Sequence, residues 1–164
     1  MKSPVKYLTD AEYTALPVQE RALQFAAAQV GQREIGKNAG PFVTRILASV
    51  GLGPGFPWCA AFASWCLRNA GFKGGPTSGR AAVRNWAKWA SQQGITSSKP
   101  VRGALFYWLN SNQTGHIGFV TKVEGASVHT IEGNTNDAGS REGDGTYRRV
   151  RPIGKMKFIR WWDA

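Results

Sequence analysis

Residues 55–67 read Gly55-Phe56-Pro57-Trp58-Cys59-Ala60-Ala61-Phe62-Ala63-Ser64-Trp65-Cys66-Leu67, an uncharged run that holds both cysteines of the chain. A helix will not cross the preceding Gly53-Pro54-Gly55-Phe56-Pro57, and Gly71 ends one, so the run predicts a helix from about Trp58 to Gly71. Seven helical residues separate two Cα atoms by about 10 Å. A disulfide spans roughly 4.4–6.8 Å, so the two thiols do not bridge within this helix. Zinc sites bring cysteine and histidine in close pairs, and the chain has neither C-x-x-C nor paired histidines. Position then separates the thiols. Cys59 falls in the first helical turn, where unpaired N–H groups and the positive end of the dipole stabilise a thiolate. Cys66 lies two turns further in, between Trp65 and Leu67, and reads as a core residue.

Outward from this helix, the N-terminal side is helical. Thr9-Asp10-Ala11-Glu12 has the capping-box spacing, Pro17 opens a helix running to Gln29, and Pro41 to Val50 makes a short helix ended by Gly51. Ser78 is placed to cap a further helix from about Gly79 to Gln93. There Val83, Trp86, Ala87 and Ala90 form an inward face, and Arg80, Arg84 and Lys88 a basic stripe. From Val101 the pattern changes to VRGALFYWL, HIGFVTKVE, ASVHTIEGN, TYRRVRPI and KMKFIRWW, short β-branched or aromatic runs separated by turn residues. Helices followed by strands with short connections predict an α+β fold, its N-terminal helices packed on a mostly antiparallel sheet of five or six strands. The polar loop NTNDAGSREGDG (134–145) lacks the alternating acids of a calcium loop, so no metal is expected. No repeat or linker divides the 164 residues, which read as one domain, 1–164, with residues 1–18 as an N-terminal extension.

Hydrophobic content of 42% suits a globular domain, and no apolar run is long enough to span a bilayer. The first residues lack the apolar stretch of a signal peptide, so synthesis in a reducing cytosol, where free thiols survive, is expected. The charge is more telling. A net +11 implies an anionic partner, and between Ile35 and Val123 there is no Asp or Glu among ten Lys and Arg. Arg148 to Arg160 adds six more basic residues and no acid.

A reactive cysteine needs a base, usually histidine, oriented by a third group. His116 stands in Thr114-Gly115-His116-Ile117-Gly118, and His129 in Ser127-Val128-His129-Thr130-Ile131. Strand alternation puts Val128, Thr130, Glu132 and Asn134 on one face and His129 with Ile131 on the other. A three-residue Val123-Glu124-Gly125 hairpin loop, with Gly125 left-handed, would set His116 directly opposite Glu132. His129 then reads as an ordinary sheet residue.

PWCAAFASWC on a helix, then GHIGFV, then IEGNTN, resembles the CHAP family of cysteine/histidine-dependent amidohydrolases and peptidases. The resemblance runs from about Gln19 to the C-terminus. It implies a papain-like (NlpC/P60-type) fold with the cysteine at a helix N-terminus packed against an antiparallel sheet. It also implies Cys59 as nucleophile, His116 as base, Glu132 as orienting acid and Asn134 as a polar group beside them. Trp58 and Tyr107 are read as walls of the substrate cleft. No cofactor is expected. Family members commonly cleave peptidoglycan as phage endolysins or wall hydrolases. The expectation is therefore a monomeric bacteriolytic hydrolase that cuts an amide or peptide bond of the stem peptide. Anionic envelope polymers would be met by its basic surface. It would be made in the host cytoplasm, act on the wall after release, and carry no separate wall-binding domain. Two other readings compete: a Cys–His amidase acting on a small amide, and a basic nucleic-acid-binding module. The second would use Arg80, Arg84, Lys88 and the Arg148–Arg160 run, with Tyr147, Phe158, Trp161 and Trp162 as stacking surfaces. It leaves Cys59, His116 and Glu132 unexplained, so no nucleic-acid partner is expected.

Overall fold

In the computed structural model, which describes residues 1–136 and 143–164, the helices precede the sheet as the pattern requires. They are α1 (Asp10–Ala15), α2 (Val18–Ala27), α3 (Pro41–Ala48), α4 (Cys59–Asn69) and α5 (Val83–Gln92). Thr9 caps α1 through the reciprocal Thr9–Glu12 box, and Pro41 opens α3. Half of the polar 134–145 loop, residues 137–142, lies outside the described residues.

The strands are β1 (Thr96–Ser97), β2 (Leu105–Leu109), β3 (Gly115–Glu124), β4 (Ser127–Thr135), β5 (Gly145–Pro152) and β6 (Lys157–Ile159), followed by a 3-10 turn at Trp161–Asp163. They form one six-stranded sheet in the order β1-β6-β2-β3-β4-β5, every pair antiparallel. This is the α+β fold that the sequence pattern predicts. β1 was not foreseen; two residues are too few to show a period.

Alternation divides the sheet's side chains. Leu105, Tyr107, Ile117, Phe119 and Ile131 join the core beneath the helices, with Phe62, Cys66 and Leu67 of α4. Ala104, Phe106, Val120, Val128 and Phe158 make a second apolar cluster with Met156. The central helix α4 is buried along nearly its whole length, which explains why its run carries no charge. Gly133 lets the sheet approach it closely: a Cβ there would lie 2.7 Å from Phe62 and 2.8 Å from Trp58.

Two expectations are corrected. The hairpin loop is the two-residue Gly125-Ala126 turn, since Glu124 pairs with Ser127. Gly125 is left-handed as expected (φ 57°), which suits the first central position of a II′ turn. The ladder then shifts by one residue between Val120 and Lys122, where Thr121 forms a bulge, and resumes with Val120 opposite Thr130 and Phe119 opposite Ile131. Extending that register sets Glu132 across from Gly118, not from His116. The bulge restores the parity that the shorter turn alone would have reversed, so His116 and Glu132 still share a face, on a diagonal.

The second correction concerns α5, which begins at Val83 with Ala82, not Ser78, at its N-cap. Residues 79–82 form a turn held by the Asn85 amide and Trp86 indole, which donate to the carbonyls of Gly79 (2.9 Å) and Arg80 (2.9 Å). Arg80 therefore leaves the helix. It donates to the Gly74 carbonyl at 3.0 Å, so the predicted stripe does not exist as one row.

Candidate active site

Cys59 is the first residue of α4, and no side chain caps this helix. Its first-turn N–H groups have no intrahelical acceptor, as at any helix start. Trp58 locks the entry: its indole donates to Glu34 Oε2 (3.2 Å) and its ring lies edge-on to Phe42 and Phe62. That role is the reverse of the one expected. Trp58 is 0% exposed and part of the core, and Tyr107 is buried on β2. Neither lines the cleft. An aromatic beside a cysteine reads equally as wall or core until the packing is known.

His116 comes from the start of β3 and is fully buried. Its Nε2–H donates to Glu132 Oε2 at 2.8 Å. Its ring sits 5.0 Å from Trp108 and 6.1 Å from Phe106, centroid to centroid. The other nitrogen, Nδ1, is buried without a well-formed hydrogen bond. The Cys59 thiol acts on the ring, and with Nε2 held by Glu132, Nδ1 is the nitrogen left to meet it. Loose pairing of this kind is common in unliganded catalytic sites. Burial pulls the His116 pKa down, but Cys59 and Glu132 together outweigh it and raise the value to about 9.

The glycines of GHIG are required by packing. A Cβ on Gly115 would lie 2.1 Å from the Trp108 carbonyl oxygen. One on Gly118 would lie 2.8 Å from Phe106 and 2.9 Å from Glu132 Cγ. Gly118 thus clears the space that Glu132 fills.

Glu132 is itself buried, and both of its oxygens are shared. Oε1 accepts from Thr130 Oγ1 (2.5 Å) and Arg151 Nε (2.6 Å), and Oε2 from His116 Nε2 and Arg151 Nη2 (2.6 Å). Burial would raise its pKa, but Arg151 and His116 bring it down to about 2. Asn134 sits where the β4–β5 ladder shifts, in a left-handed conformation (φ 56°), with its Oδ1 buried and unpaired. His129 faces elsewhere, its Nε2 2.9 Å from Glu124 Oε2 near the surface.

Cys59 opens on a cleft of about 410 Å³. Its walls come from Leu52, Phe56 and Pro57 before α4, from Ala81 to Asn85 at the start of α5, and from Gln113 to Gly115, with Asn134 at the inner end. Among the described residues, Arg84 is the one charged side chain in this lining. Of the foreseen site residues, the fold brings together Cys59, His116, Glu132 and Asn134. Sequence reasoning missed Arg151, Thr130, Trp108 and Arg84 as parts of the site. Arg84 and Arg151 are visible in the sequence only as cations in acid-free stretches, and Thr130 only as sharing a strand face with Glu132; Trp108 left no signal.

Among the described residues, no His/Cys/Asp/Glu cluster suited to a metal ion occurs, and no helix is long and apolar enough to cross a membrane. Phe158 and Trp161, considered as stacking surfaces for nucleic acid, are fully buried.

The CHAP domain family matches residues 51–134, which contain Cys59, His116, Glu132 and Asn134. No curated protein matches. Among solved structures, the crystal structure of Ly7917 is similar with a TM-score of 0.52 at 19% identity, covering 86% of this chain and 61% of that one. The crystal structure of Ly7917 with the hydrolyzing product of MDP gives 0.46 at 20% identity, covering 86% and 62%. This chain thus spans about three-fifths of Ly7917, and the first of these likenesses bears on the fold. With the family matched across half its length, the chain belongs to the CHAP domain family.

Proposed function

We propose that this hydrolase cleaves an amide or peptide bond of the peptidoglycan stem with Cys59 as its nucleophile. The carrying observation is the buried His116, held on one nitrogen by Glu132 and interacting with the Cys59 thiol at the head of α4. His116 takes the thiol proton, and the thiolate attacks the scissile carbonyl carbon. The negative oxygen that forms is met by the Cys59 backbone N–H, one of the unpaired amides of the first turn. As the tetrahedral adduct collapses, the C–N bond breaks and the imidazolium protonates the leaving amine. Water then attacks the thioester. His116 accepts its proton and passes it to the departing Cys59 sulfur, which restores the enzyme.

The cleft supports a substrate of this kind. Its lining is largely apolar, and among the described residues Arg84 makes no ion pair, which suits a peptide that brings a carboxylate of its own. The basic surface suits anionic envelope polymers, and a bacteriolytic, endolysin-type role follows from the same chemistry. The test is digestion of purified peptidoglycan by the parent and by Cys59→Ala, with mass spectrometry of the released fragments. The parent should release fragments that identify one cleaved amide bond, and Cys59→Ala none. Equal release by both proteins would reject the nucleophile. Release by neither, with small amides still cleaved, would reject the substrate.

A further inference from the structure

The edge strand β5 contributes a side chain whose geometry exceeds that of a surface ion pair. Arg151 presents its guanidinium fork to Glu132 with two bonds of 2.6 Å, while its own side chain is only 15% exposed. Its Cζ lies 5.1 Å from the Trp108 ring centroid, and that ring in turn packs against His116. Guanidinium, carboxylate, imidazole and thiol therefore form one chain from β5 to the head of α4. A buried carboxylate facing only a neutral histidine would tend to take up a proton, because burial disfavours its charged form. It would then offer Nε2 a hydroxyl in place of an acceptor.

We propose that Arg151 is a positioning residue of this hydrolase: its fork fixes the rotamer of Glu132 and keeps it ionised. His116 Nε2 then always has an acceptor, and Nδ1 stays turned to Cys59. The proposal rests on the Cys59–His116 reading above. The ionisable groups around Glu132 support it. β3 supplies His116, and α4 supplies Cys59 beyond it. On β5, Tyr147 lies cross-strand from Glu132 but its hydroxyl donates to Asp144 (2.6 Å), and Arg149 lies cross-strand from Thr130. Lysine would keep the charge but lose the fork that sets the carboxylate plane.

Arg151→Gln and Arg151→Lys test this through two readouts, each followed against pH. One is kcat and KM on a soluble stem peptide. The other is the rate at which iodoacetamide alkylates Cys59, located by mass mapping. Alkylation reports the thiol–imidazole pair without any peptidoglycan, so a wrong substrate and a wrong role for Arg151 give different results. In Arg151→Gln, kcat should fall roughly 10–100-fold with KM little changed. The acid limb of both profiles should move up by about one pH unit or more, since Glu132 loses its main lowering partner. Arg151→Lys should return the limb toward the parent while kcat stays below it. An unmoved acid limb in a folded Gln variant would overturn the proposal, as would a Lys variant no better than Gln. Should Arg151→Gln fail to fold, the Lys variant decides: an acid limb at the parent position with reduced kcat supports the role, and full kcat overturns it.

Discussion

Cys59 and Cys66 show how far position decides the chemistry of one residue type. Cys66 is fully buried, and burial pushes its thiol well above the usual range, so it stays neutral and inert. Cys59→Ala should abolish turnover without loss of fold. Cys66→Ala should keep turnover and cost about 1–2 kcal/mol as a small core truncation, read from denaturant unfolding. A folded but inactive Cys66 variant would reverse the assignment. The neighbouring base sets a pH window. The His116 pKa is raised to about 9, so its charged form is favoured in the folded protein. That contribution is complete below the ordinary value of 6.5 and is lost as pH rises through about 9. Stability and turnover should therefore both fall on the alkaline side near pH 9, and Glu132→Gln should move that limb to lower pH. Cys59, His116 and Glu132 were legible because a helix start and strand parity are local properties. Arg151 was not. It lies cross-strand from Val128, yet its side chain reaches Glu132, a contact that only the packed sheet displays.

Within elements, the β3–β4 hairpin carries the reading that came closest to failing. An expected three-residue loop gave one register, and the two-residue turn plus the Thr121 bulge gave another. Had the two differed in parity, Glu132 would have pointed away from His116. Bulges leave little trace in a sequence, because the extra residue needs no special side chain. The same limit hid the late start of α5, where side-chain bonds from Asn85 and Trp86 hold a turn that a capping argument read as helix. Two glycines of the hairpin allow a paired test. Gly118→Ala puts a Cβ 2.9 Å from Glu132 Cγ and 2.9 Å from the Ile131 carbonyl, so the carboxylate must shift. Turnover should drop by about tenfold or more, with a stability loss of about 1–3 kcal/mol. Gly125→Ala meets no atom within 4 Å but must hold φ 57°. It should cost roughly 1 kcal/mol of stability and leave turnover intact. Equal catalytic loss in the two variants would mean that Gly118 serves the hairpin and not the placement of Glu132.

Across the whole molecule, the charge of +11 is divided between the cleft and the outer surface, and the two parts should behave differently in salt. Sequence alone grouped Arg80, Arg84 and Lys88 as one surface stripe, but Arg84 lines the cleft and Arg80 is tied to Gly74. Substituting all three together would mix substrate recognition with long-range attraction. Arg148, Lys155 and Lys157 separate the two, because all are exposed and none lines the cleft. If exposed charge draws the enzyme to anionic wall polymers, lysis of whole walls should weaken as salt rises, since such attraction is screened over about 8–10 Å near physiological ionic strength. Replacing those three residues with Gln should slow wall lysis at low salt and flatten its salt dependence, while cleavage of a soluble stem peptide stays near the parent rate. Arg84→Gln should do the opposite. It should raise KM for a peptide with a free carboxylate by roughly tenfold, corresponding to about 1.4 kcal/mol. The amidated peptide, which has no carboxylate for Arg84 to meet, should be cleaved at the parent rate. If the surface triple variant loses both activities alike, attraction to the polymer does not explain the charge. If Arg84→Gln treats the two peptides as the parent does, the cleft does not read a carboxylate through this residue.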